Sequence, residues 1–99
     1  MLACDRDGRI LSAGRGVFEL TGFSEGDLMG KDVREALTLV GENGNDPVGT
    51  VLEWGVRQMD QSMTLTSRAG LHKRVRCDFF PAYDDDGGML ASIAPAGTR

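Results

Sequence analysis

A chain of 99 residues with a formal net charge of -4 has room for one domain and one hydrophobic core. Its acid excess argues against a nucleic-acid partner, which needs a basic face, and no apolar run nears the roughly 20 residues of a membrane-spanning helix or forms a signal peptide. The two cysteines, far apart in the chain, read as buried, reduced thiols of a cytoplasmic protein rather than as a bridge.

The first element is extended. Met1 to Cys4 is apolar, Asp5-Arg-Asp-Gly8 is a turn closed by glycine, and Arg9 to Ser12 runs back as a second strand. Leu20 and Thr21 close a short helical pattern that Gly22 stops. Ser24 then caps another helix, with Asp27 at the reciprocal position of a capping box. Leu28 and Met29 are its only apolar residues before Gly30, so it makes little more than one turn. Two such helices form an elbow that needs a sheet to lie on.

From Val33 to Leu39 the pattern fits a short helix or an extended segment, and Gly41 to Asn45 is a loop by composition. Asp46 is an N-cap and Pro47 the first helical residue. Val48, Val51, Leu52, Gly55, Val56 and Met59 recur at helical spacing, which predicts a helix running to Met59 with one apolar face. Gly55 on that face either admits the sheet backbone or leaves room for a ligand. Trp54 falls on the flank, as a ring covering the core's edge or as a stacking surface for a flavin.

Alternation then predicts strands over Gln61 to Ser67 and Leu71 to Pro81, and a last strand through Met89, Ala91 and Ile93. Leu71, Val75, Cys77 and Phe79 point one way, interrupted by Lys73. His72, Arg74, Arg76 and Asp78 point the other, joined by Phe80. The expected core side also takes in Leu11, Phe18, Leu20, Leu28, Val51, Leu52, Val56, Met63 and Leu65. The fold class is α+β: five antiparallel strands with one apolar face roofed by the helices between strands two and three.

The order of these parts resembles a PAS domain. The matching residues are Asp5 and Gly8 in the first hairpin, Leu20-Thr-Gly-Phe-Ser24, Asp27-Leu-Met-Gly30, the Arg68-Ala-Gly70 turn, and Phe80-Pro81 followed by Asp84, Asp86 and Gly87. One position departs: where many PAS domains leave the second strand through Asn, this chain has Gly14. The resemblance implies a spatial strand order 2-1-5-4-3 and a single domain over residues 1–99, excised from a larger signalling protein. It also implies a sensory role in a histidine kinase or cyclic-nucleotide signalling protein, without catalysis by the domain itself. A small ligand would then sit in the core, and Phe18, Leu28, Leu52, Trp54, Gly55, Val56, Val75 and Cys77 are the candidate lining.

Cofactors follow from the same comparison. Haem is not expected, because the single histidine, His72, lies on the polar face of its strand. A covalent flavin is not expected either, since the family's Asn-Cys-Arg run is absent. A non-covalent flavin or another small organic ligand stays open. So does a ligand-free module that pairs through its sheet, with Phe80 among polar neighbours as the pointer; the partners would be a second copy or flanking signalling helices. Other chemistry lacks its parts. One histidine and two distant cysteines cannot furnish a zinc site, Ser24 serves as a cap rather than a nucleophile, and Gly30-Lys31 runs into Asp32 instead of a phosphate loop. Asp84-Asp-Asp86 reads as a solvated turn, and Lys73, Arg74 and Arg76 as a small basic stripe for solvent or an anionic segment.

Overall fold

A computed structural model describes residues 1–82 and 87–96. The first strand, β1 (Leu2–Cys4), pairs antiparallel with β2 (Ile10–Ala13), with a bulge between Ala3 and Cys4. Their turn closes as composition requires: Gly8 N–H donates to Asp5 O at 3.0 Å, and the Asp5 carboxylate accepts from Asp7 N–H at 2.8 Å. Helix α1 (Arg15–Thr21) ends on Gly22 at φ 79°, a left-handed position that glycine takes without a Cβ clash.

Helix α2 (Glu25–Leu28) opens on a complete capping box. Asp27 N–H donates to Ser24 Oγ at 3.2 Å, and Ser24 N–H donates to the Asp27 carboxylate at 3.0 Å. Helix α3 (Val33–Ala36) settles the ambiguous stretch, because Asp32 accepts from the amides of Arg34 and Glu35. After it the chain turns through Thr38 at φ 46° and forms a two-residue strand, β3 (Val40–Gly41). Helix α4 (Pro47–Trp54) carries the Asp46 cap expected of it, reinforced by Arg34 Nη1 on the Asp46 carboxylate at 2.8 Å.

The end of α4 corrects the periodicity reading. The helix stops at Trp54, and Gly55 is its left-handed C-cap at φ 68°, with the amide on Val51 O. Val56 and Met59 therefore leave the helical face and lie exposed. A Cβ on Gly55 would meet nothing within 4 Å, so no closely approaching sheet backbone explains it. The reason is the sign of φ.

The long strands β4 (Gln58–Thr66), β5 (His72–Pro81) and β6 (Met89–Pro95) complete one sheet of order β2-β1-β6-β5-β4-β3. The five expected strands stand in the expected order, and β3 adds a sixth at the far edge. All pairings between the strands are antiparallel. Strand alternation buries Leu2, Cys4, Met63, Leu65, Val75, Cys77, Phe79, Met89 and Ala91 against Val17, Leu28, Val33, Leu37, Val48 and Val51 of the helical layer. Each Val, Leu, Met or Phe among them contributes about 1.5–3 kcal/mol relative to exposure. Leu11 and Phe18, expected on this side, are 53% and 51% exposed. Leu11 falls beside the β1–β2 bulge, which removes it from regular alternation. Phe18 lies on the outward side of α1, whose buried residues are Val17 and Thr21.

Candidate functional site

Burial divides the eight side chains expected to line an interior pocket. Leu28, Val75 and Cys77 are buried in the core. Leu52 is half-buried against it. Phe18, Trp54 and Val56 are exposed large apolar residues, Trp54 the most so at 72%, and Gly55 is the exposed cap described above. The structure thus brings three of them together at the centre of the layer interface and leaves the others at its rim.

An open cavity of ligand size lies elsewhere. About 530 Å³ opens between the C-terminal end of α1 and the β4–β5 hairpin, lined by Glu19, Leu20, Thr21, Ser67, Arg68 and Leu71, with Lys73 at one side. A second, of about 340 Å³, continues along α1 past Gly16 toward Ile93 and Pro95 on β6. None of the eight expected residues lines either one.

Local chemistry explains why this gap exists. The hairpin tip reaches α1 by polar contacts rather than by packing: Arg68 N–H donates to Thr21 O at 2.8 Å, and Lys73 Nζ donates to Leu20 O at 2.8 Å. Both acceptors are carbonyls of the helix's last turn, which have no intrahelical partner and attract a cation. Thr21 itself is buried with its hydroxyl satisfied, donating to Val17 O and accepting from Phe23 N–H. Ser67 Oγ accepts Leu71 N–H at 3.2 Å, closing the hairpin.

Lys73 was legible only as an irregularity. It occupies an inward phase of β5, pairing opposite Leu65 in a row otherwise apolar. A cation on the buried phase of a strand was the available signal for this gap. Leu20, Leu71 and Glu19 offered none.

The remaining candidates are surface groups and two buried thiols. His72 is exposed, its ring nitrogen 3.1 Å from Thr66 Oγ1. Arg76 pairs with Asp60 at 2.9 Å. Asp84 to Asp86 lie outside the described residues, and among the described residues no group of three or more metal-ligating side chains gathers. Burial pushes both thiols up to about 12, Cys4 with added repulsion from Asp5 and Asp32, Cys77 with that of Asp78. They stay protonated and weakly nucleophilic at neutral pH. On the sheet's outer face Ala3 and Phe80 both pair with Leu90, placing three apolar side chains side by side.

Comparison with known proteins follows this geometry closely. A family model described as the PAS fold matches residues 1–94. Among solved structures, the crystal structure of the PAS domain of a protein from Colwellia psychrerythraea superposes with a TM-score of 0.76, covering 96% of this chain and 83% of that one at 16% identity. At that identity the likeness speaks for the fold. No curated protein matches in sequence.

Proposed function

The chain belongs to the PAS fold family, and from that premise we propose that it is the sensory domain of a histidine kinase or cyclic-nucleotide signalling protein, with no catalysis of its own. A small ligand binds between the helical layer and the sheet and shifts their contact. The sheet's outer face passes the shift to a flanking helix or a paired subunit. One observation carries this reading: α1 meets the β4–β5 hairpin through two hydrogen bonds beside a cavity of about 530 Å³. That volume falls within the roughly 300–1,000 Å³ typical of small-ligand sites. A ligand there would have different contacts in two positions of α1, which is what a two-state bias requires.

We assign no reaction to the domain's own groups. His72 is exposed on Thr66, and the protonated thiols lie in the core.

A second reading has its own observation. Ala3, Phe80 and the 38%-exposed Leu90 form an apolar strip on the outer face, which fits a ligand-free module that pairs with a second copy. Native mass spectrometry and an absorbance spectrum of the purified chain separate the two. A retained small molecule or chromophore supports the first. A mass-clean dimer that Leu90→Glu converts to monomer supports the second and overturns the first. The signalling context is tested by the reading frame around this segment, which should encode a kinase or cyclase module.

A further inference from the structure

The two cavities beside α1 share Glu19, Leu20 and Lys73, so they form one trough between that helix and the ends of β5 and β6. Its apolar wall is Leu20, Leu71 and Ile93. Its charges are unequal in their commitments. Glu19 faces Arg15 Nε at 3.5 Å, and Arg68 faces the Asp27 carboxylate at 3.5 Å. Lys73 has no carboxylate partner among the described residues. Its ammonium gives one hydrogen bond, to Leu20 O, and an ammonium carries three donors.

We propose that the trough binds a small amphipathic carboxylate, its headgroup on the Lys73 ammonium and its hydrocarbon body along Leu20, Leu71 and Ile93. This rests on the ligand-binding reading above and names the ligand's chemistry. Charge complementarity selects the headgroup. A carboxylate gains charge-assisted hydrogen bonds from Lys73, an alcohol gains weaker ones, and an amine meets like charge. The same ammonium also holds the Leu20 carbonyl, one of the two bonds between the end of α1 and the hairpin, so the headgroup and α1 share one anchoring group. Occupancy of the trough and the position of α1 are thereby coupled.

The test is an amide NMR titration of the full chain with sodium octanoate, alongside 1-octanol and octylammonium chloride as matched probes. Octanoate should shift the amides of Leu20, Leu71, Lys73 and Ile93 saturably, with an apparent Kd below about 1 mM. The other two probes should bind roughly tenfold more weakly or not at all. Lys73→Gln should weaken octanoate by roughly tenfold with the amide spectrum still dispersed. Lys73→Arg should restore most of the affinity, and Glu19→Gln should tighten binding slightly. Equal binding of octanoate and octanol, or a Lys73→Gln protein that binds like the parent, overturns the carboxylate assignment. Shifts centred on Leu28, Val75 and Cys77 overturn the trough while leaving the ligand-binding reading in place. No binding by any probe, with no molecule retained in native mass spectrometry, overturns both.

Discussion

Different forces hold the two halves of the helical layer to the sheet. Over β4 and β5, α3 and α4 with the residues just after α3 bury Val33, Leu37, Val48 and Val51 to 2% exposure or less. At the other end α1 buries Val17 and Thr21 but leaves Leu20 half-buried and Phe18 51% exposed, and the hairpin tip meets its C-terminal end through hydrogen bonds from Lys73 and the Arg68 amide. A net hydrogen bond is worth about 0.5–1.5 kcal/mol, less than one buried aliphatic side chain at about 1.5–3 kcal/mol. One layer therefore contains an anchored part and a weakly held part, and responsive segments are drawn from the low-stability end of a structure.

Alkali should have the largest effect, acting through two thiols of the shared core. A thiol pKa raised to about 12 from 9.0 in the unfolded chain leaves stability intact below pH 9 and withdraws it as pH climbs toward 12, because the unfolded state ionises first. For Cys4 and Cys77 together the loss should be on the order of several kcal/mol, read as a falling urea midpoint, with both thiols slow to label near pH 7. Phe79→Ala should cost about 3–5 kcal/mol in urea unfolding, since the ring is fully buried. The contrast itself is sharpened by a pair. Leu37→Ala should cost about 2–5 kcal/mol, and Leu20→Ala about 1 kcal/mol, because only the first side chain is fully enclosed. Equal losses would mean that α1 is as firmly seated as its neighbours.

Smaller effects should come from the elbow and the rim. Ser24→Ala removes half of a capping box and should cost about 0.5–2 kcal/mol. The Ser24 amide, then its hydroxyl, holds the Asp27 carboxyl below its ordinary range. That contribution is present above about pH 4 and fades as acid protonates Asp27 in the folded state, so the parent should lose more stability in acid than Ser24→Ala does. Trp54→Ala should change stability by less than about 0.5 kcal/mol, since its ring is 72% exposed.

Where local chemistry decides, the sequence was legible. Asp5 and Gly8 mark the first turn, Ser24 and Asp27 the capping box, Asp46 and Pro47 the start of α4, and alternation the faces of β4 and β5. It was opaque where a single backbone angle overrides a periodic pattern. Val56 and Met59 keep helical spacing with Val48 and Leu52, yet Gly55 at φ 68° has already ended the helix. Asp32 was a missed signal, a capping residue with Glu35 three positions on that fixes α3. The trough was hidden for another reason. Its walls come from segments about fifty residues apart, and only the misplaced cation in the apolar row of β5 hinted that the two meet.

Both rims of the sheet are occupied. Along β2, Ile10 exchanges hydrogen bonds with Gly30 and Lys31, and Ala13 N–H donates to Glu25 Oε2. On the opposite rim, β3 covers Met63 and Thr64. Below it the ladder is interrupted between Gln58 and Gln61, Asp60 N–H donates to Asp78 Oδ1, and the Gln58 and Gln61 amides donate to the carbonyls of Arg57 and Met59. Such margins offer little template for an incoming β-strand. Growth into fibrils by successive strand addition is thereby disfavoured.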